Sequence, residues 1–206
     1  MRSDVELPKR HDHDFYKTPS EFASLGLEFL WRQIARIDPF GQVPNAGWAP
    51  LVLDPGSGEG VWGTELRKFC LPRLLVGVEL RETARPAAYD RWIVGDFLAT
   101  ALPSQSAGFD LVIGNPPYGR PGEHKAEKFI EHALALLAPG GFLLFLMKLT
   151  FLQSKRRAEG LFREHPPFAV AVCKKRPPFT GPGNTDSYAF MVFRKGYKGE
   201  TRLEWV

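Results

Sequence analysis

Short apolar runs recur along this chain, and most of them break off at glycine, proline or a polar side chain. They are Leu51–Leu53, Leu74–Val78, Trp92–Val94, Phe109–Ile113, Phe142–Met147, Phe168–Cys173 and Tyr188–Phe193. Their length and near-continuous apolarity suit buried strands. Between them lie stretches with helical spacing: Val61–Cys70, residues 123–138 and residues 150–164. In the second, Phe129, Ile130, Ala133, Leu134 and Leu137 form one apolar stripe, and Pro139-Gly140-Gly141 is expected to stop the helix. A further helix is expected over Ser20–Ile37, with Pro19 just before its start and Phe22, Leu25, Phe29 and Ile34 near helical spacing. Alternating strands and helices of this kind imply an α/β fold: a seven-stranded, mainly parallel sheet with helices on both faces.

The 206 residues are 44% hydrophobic, enough for one domain with a sizeable core. Residues 1–14 read as a flexible N-terminal arm and 15–206 as the folded domain. The arm holds His11, Asp12, His13 and Asp14, but no distant third cluster supports a metal, so none is expected. Residues 38–49, with Pro39, Gly41, Pro44 and Gly47, read as a loop. Two cysteines without partner spacing argue against a disulfide framework or zinc site. There is no signal-peptide core at the start and no run near the roughly 18 apolar residues that span a bilayer, so a cytoplasmic protein is expected. A formal charge of +4 leans mildly toward polyanionic partners.

In parallel sheets of this type, ligands bind outside the carboxyl ends of the strands. The first strand runs into Asp54-Pro55-Gly56-Ser57-Gly58-Glu59-Gly60, a turn whose glycines let a ligand approach the backbone just before a helix begins. Glu79 ends the next strand, at a distance from Gly56 that suits acceptance of hydrogen bonds from a ribose diol. Nicotinamide cofactors and S-adenosylmethionine both carry such a ribose. The third strand ends at Gly95-Asp96-Phe97, where a carboxylate suits an adenine amino group and an aromatic ring suits the base; Asp96 also suits a helix cap.

The fourth strand ends at Gly114-Asn115-Pro116-Pro117-Tyr118. Two consecutive prolines make the turn rigid and hold the Asn115 side-chain oxygen and the Pro116 carbonyl as fixed acceptors. An amino group conjugated to a ring is planar and a poor nucleophile. Two acceptors on its hydrogens favour the pyramidal form, whose lone pair attacks a methylsulfonium. Tyr118 then stacks on the ring that bears the amine. The spacing Gly56-x-Gly58-x-Gly60 departs from the dinucleotide pattern, and a Pro-Pro turn has no role in hydride transfer, which disfavours a dehydrogenase.

From residue 15 to about 195 the chain resembles the class I S-adenosylmethionine-dependent amino-methyltransferases, a Rossmann-like family, and looks most like DNA adenine-N6 methyltransferases. The resemblance rests on Asn115-Pro116-Pro117-Tyr118 as catalytic motif, Asp54 to Gly58 as cofactor loop, and Glu79 and Asp96 as ribose and adenine acceptors. Phe15-Tyr16-Lys17-Thr18-Pro19 is similar to the family's N-terminal motif at the cofactor's methionine end, and its upstream place resembles the γ-type motif order. Arg176-Pro177-Pro178-Phe179 is similar to the loop whose aromatic residue stacks on a flipped base, and Asn184-Thr185-Asp186-Ser187 to a tract of phage and prophage members. The resemblance implies S-adenosyl-L-methionine as cofactor and DNA as partner.

Two basic groups are candidates for phosphate contacts: Lys155, Arg156 and Arg157 on one helix, and Lys174, Lys175 and Arg176 before the aromatic loop. A separate target-recognition domain is not evident, so specificity is expected to be low, loop-encoded or supplied by a specificity partner or a second copy. Cytosine-N4 enzymes more often carry serine where Asn115 stands. RNA adenine-N6 methylation, glutamine methylation in a protein, and a non-catalytic binding subunit remain open on sequence alone.

Overall fold

A computed structural model describes residues 17–37, 48–102, 107–120, 122–178 and 185–206. The elements in chain order are α1 (Ser20–Ile37), β1 (Leu51–Pro55), α2 (Val61–Phe69), β2 (Leu74–Glu79), β3 (Arg91–Val94), β4 (Phe109–Gly114), α3 (Lys125–Leu136), β5 (Leu137–Lys148), α4 (Lys155–Glu159), α5 (Leu161–Glu164), β6 (Ala169–Val172), β7 (Tyr188–Arg194) and β8 (Arg202–Trp205). They build one sheet in the order β3-β2-β1-β4-β5-β7-β6-β8. The pairs β1/β2, β1/β4, β2/β3, β4/β5 and β6/β8 are parallel, and β7 runs antiparallel to both neighbours.

Side-chain alternation along the central strands divides the core into two layers. Val52, Leu111, Leu144, Leu146 and Phe190 face α1 and α2, together with Phe22, Leu27, Leu30 and Trp62. Leu51, Leu53, Val112, Leu143, Phe145 and Met191 face α3, together with Phe129, Ile130, Ala133 and Leu134. Both faces of β1, β4, β5 and β7 are therefore covered, which is why these strands read as near-continuous apolar runs. Phe109 and Leu111 belong to opposite layers although two residues apart. The ladder between β4 and β5 shifts register at that point, and the bulge flips the side-chain phase.

The sheet has eight strands, not seven. Residues 202–205, which lie outside the seven expected strands, pair with β6. Their Arg-Leu-Glu-Trp pattern mixes charge with apolar residues because the strand lies at the sheet edge and is mostly exposed. The helix expected over 123–138 ends at Leu136, and β5 begins at once, taking Pro139-Gly140-Gly141 into the strand. Leu137 has already turned extended there and sits opposite Phe109. The helix expected over 150–164 is broken into a 3-10 turn at Leu149–Leu152 and the short α4 and α5. Ser154 starts α4 by accepting the Arg157 N–H, and Gly160, at φ −108° and ψ −99°, separates it from α5.

The order β3-β2-β1-β4-β5 reverses direction between β1 and β4. A crevice opens beyond the carboxyl ends of strands at such a reversal. Pro55, Glu79, Val94 and Gly114 all end there.

Candidate active site

The loop after β1 is tied down by backbone bonds to β2. Gly56 and Ser57 N–H both donate to the Val78 carbonyl (2.7 and 3.0 Å), and Gly58 N–H donates to Glu79 Oε2 (2.7 Å). Gly56, Gly58 and Gly60 have φ of 73°, 59° and 81°, a left-handed region that a β-carbon makes costly. At Gly60 a β-carbon would also come within 2.7 Å of Pro86 and 2.8 Å of Tyr89. The loop thus stays slim, and its backbone forms one wall of a cavity.

That cavity collects most of the residues singled out in the sequence. Lys17, Thr18, Gly56, Gly58, Glu79, Asp96, Phe97, Asn115 and Pro117 line it, with Arg81, Lys125 and Phe129 beside them. Glu79 is buried, and its Oε1 accepts from the Arg81 backbone N–H (3.1 Å) and Nε (2.7 Å). Asp96 is exposed and its Oδ1 accepts the Leu98 N–H (3.0 Å); residues 97–99 form a turn, so Asp96 closes a turn and caps no helix. Phe97 is buried and packs on Phe129, with ring centroids 5.0 Å apart. Pro19 does not line the cavity; its carbonyl accepts the Phe22 and Ala23 N–H groups at the start of α1.

Asp54 lies beneath the loop, fully buried. Its Oδ2 accepts the Tyr89 hydroxyl (2.5 Å), which in turn accepts the Gly63 N–H (3.0 Å) in the first turn of α2. Its Oδ1 has no hydrogen-bond partner among the described residues. Burial pushes the Asp54 carboxyl up to about 7, with the Tyr89 hydrogen bond opposing and the Glu79 charge adding. Tyr89 had no sequence signal, being a lone aromatic in an irregular stretch between β2 and β3.

At the end of β4, the Asn115 amide bridges two elements. Its Nδ2 donates to Thr18 Oγ1 (3.2 Å), and its Oδ1 accepts the Tyr118 hydroxyl (3.0 Å). Thr18 is buried at the entrance to α1, so the segment before α1 and the Pro-Pro turn meet at Asn115. The Tyr118 hydroxyl lies also within 3.3 Å of the Leu146 carbonyl, and its ring packs near Tyr188 beneath the Lys148 ammonium. Lys148 itself pairs with Asp186 (2.5 Å). Tyr118 is not among the cavity's lining residues.

The two basic groups separate. Arg156 is bound to the buried Glu127, Arg157 lies over the Phe151 ring and donates to the Phe151 carbonyl, and Lys155 sits by Glu159. Lys174, Lys175 and Arg176 are exposed just past the carboxyl end of β6, which runs parallel to β1–β5. They lie on the cavity's edge of the sheet but do not line the cavity. Tyr16, Phe179 and Asn184 fall outside the described residues.

The strand order and crevice match a known architecture. A Listeria monocytogenes protein assigned to the class I S-adenosylmethionine-dependent methyltransferases superposes with a TM-score of 0.64 at 17% identity, over 92% of this chain and 65% of that one. The fold is that of the class I methyltransferases. The M protein of the type I restriction enzyme EcoKI superposes with a TM-score of 0.61 at 15% identity, over 88% of this chain and 44% of that one. Residues 81–165 match the family described as Eco57I restriction-modification methylase. The 4-amino-L-phenylalanine/4-methylamino-L-phenylalanine methyltransferase of Streptomyces pristinaespiralis is 31% identical over 141 residues, 54% of this chain. The chain spans about half the length of that curated relative, 47%. Among the described residues no group of side chains is placed to hold a metal, and no helix is long and apolar enough to cross a membrane.

Proposed function

We propose that this chain transfers a methyl group from S-adenosylmethionine to the N6 amino group of adenine in DNA, with the target base turned out of the duplex. The observation that carries this reading is Asn115, held between Thr18 and Tyr118 at the wall of the crevice on a turn that two prolines stiffen.

The cavity's chemistry fits the cofactor. A loop with glycine at alternate positions, a buried carboxylate at Glu79 and an apolar wall of Phe97 and Phe129 suit the backbone contacts, diol and adenine of a nucleoside. Lys17 and Thr18 are assigned to its amino-acid end, with Tyr16 and Pro19 completing that segment. When bound, S-adenosylmethionine supplies an electrophilic methyl on a sulfonium. The chain's own part is positioning. Asn115 Oδ1 and the Pro116 carbonyl accept the two hydrogens of the target amine and turn its lone pair toward the methyl. The Tyr118 hydroxyl now holds Asn115 Oδ1, so the incoming amine replaces that bond and frees the ring to stack on the base. Phe179 is assigned to the base's other face, and Lys174, Lys175 and Arg176 to the phosphates. Extrusion of the base costs a few kcal/mol, which such stacking offsets.

The restriction-modification match over residues 81–165 supports DNA as the polymer. One observation favours a second reading. The relative that is 31% identical is named for 4-amino-L-phenylalanine, whose acceptor nitrogen is also an amine on an aromatic ring. The same turn would serve a free arylamine.

Incubation with labelled S-adenosylmethionine and duplex DNA, single-stranded DNA, an RNA hairpin, a glutamine-bearing peptide and 4-amino-L-phenylalanine tests these readings. N6-methyladenosine's deoxy form in digested duplex DNA is the expected product. Label in the RNA hairpin or the free amino acid, with none in DNA, overturns the assignment of DNA.

A further inference from the structure

The sheet ends at β8, beyond which no described strand lies. Arg202 N–H donates to the Phe168 carbonyl (3.4 Å) and Val206 N–H to the Val172 carbonyl (3.0 Å). Residues 202, 204 and 206 therefore turn their peptide groups inward to β6. By the alternation of a strand, the N–H and C=O groups of Leu203 and Trp205 point outward. The side chains alternate too. Arg202 lies over the Phe168 ring and Glu204 is bound by Gln33 (2.9 Å) and Arg36, all on the α1 face. Leu203 and Trp205 occupy the other face and are 54% and 60% exposed. An open edge that shows a leucine and a tryptophan is a template for another strand.

The pattern is complementary to itself in one register. We propose that β8 pairs antiparallel with β8 of a second copy of this chain, about a two-fold axis through Leu203. The axis demands that Leu203 direct its own N–H and C=O outward, which it does, so the two central residues exchange both bonds. Thr201 then stands opposite Trp205, and Arg202 opposite Glu204, twice over. The exposed Arg202 meets a carboxylate on the same face, while the two leucines meet on the other with each tryptophan reaching diagonally across. Moving the axis by one residue sets Arg202 against Arg202 or Glu204 against Glu204, so like charges exclude the neighbouring registers. The result is a sheet continuous through both copies, with an isologous interface. It holds whichever acceptor the site methylates.

Sedimentation equilibrium across a concentration series should give twice the single-chain mass. Leu203→Lys should return it to the single-chain mass, with far-UV dichroism unchanged and the melting temperature no longer dependent on concentration. Register is read by cross-linking in a Cys70→Ser/Cys173→Ser background. A central hydrogen-bonded pair sits about 5.5 Å apart at Cα, within disulfide reach. Leu203→Cys should therefore form a disulfide-linked dimer on mild oxidation, and Arg202→Cys should not. A single-chain mass for the parent protein, a dimer that Leu203→Lys leaves intact, or cross-linking through Arg202→Cys instead of Leu203→Cys overturns the proposal.

Discussion

Asn115 and Asp54 end neighbouring strands yet do different work. Asn115 touches the cavity and is assigned to the acceptor amine, so Asn115→Ala should lower turnover by about 10²–10³, the usual loss when one preorganised polar contact to the reacting group is removed. Calorimetric titration should find S-adenosylmethionine binding nearly unchanged; a large rise in its Kd with intact turnover would contradict the role. Asp54 acts from below the loop. Its carboxyl is raised from 3.8 to about 7, so between those values the folded chain holds a proton that the unfolded chain has released. Its contribution to stability is therefore fully present below about pH 4, falls as pH rises toward 7 and is constant above. Asp54→Asn keeps the shape without the titration, so its melting temperature should fall less than the parent's between about pH 5 and pH 8. Equal slopes would remove Asp54 as the source.

At the scale of elements, the glycine loop and α2 act as one support. Gly63 lies in the first turn of α2 against Tyr89, and a β-carbon there would come 2.5 Å from Tyr89 Cζ and 2.8 Å from Leu75. Gly63→Ala should cost about 1–3 kcal/mol through overpacking, seen as a lower denaturant midpoint at unchanged slope. It should also weaken cofactor binding, because Tyr89 joins Asp54 to the Gly63 amide. This support was not legible in the sequence, since Asp54 and Tyr89 meet only through tertiary contact. What was legible followed from local rules. Ser20–Ile37 has a proline before it and an apolar stripe along it, and it folds over that range. Four strand ends gave four turns that border the cavity, because glycine, acidic and Pro-Pro turns constrain the backbone locally. The long helix over 150–164 failed because periodicity did not weigh Ser154 as a cap and Gly160 as a break. β8 failed because an edge strand with charges on one face resembles a polar tail.

For the whole molecule, the formal charge of +4 is too small to decide a partner, and its distribution matters more. Of the two basic groups, one is spent internally: Arg156 neutralises Glu127 and Arg157 packs on Phe151. The other, Lys174-Lys175-Arg176, is exposed at the edge of the sheet that carries the crevice. Each phosphate contact releases a counterion, so the logarithm of the binding constant should fall with the logarithm of salt at about 0.9 per contact on duplex DNA. Replacing all three residues with alanine should weaken duplex binding and flatten that slope by about two to three. Arg156→Ala should leave the slope alone and lower stability instead, since it strands the buried Glu127 carboxylate. Fluorescence anisotropy over a salt series reads both. If the triple variant keeps the parent's slope, phosphate is gripped elsewhere. If the parent shows no slope at all, a polyanion is not the substrate, and the free arylamine reading gains.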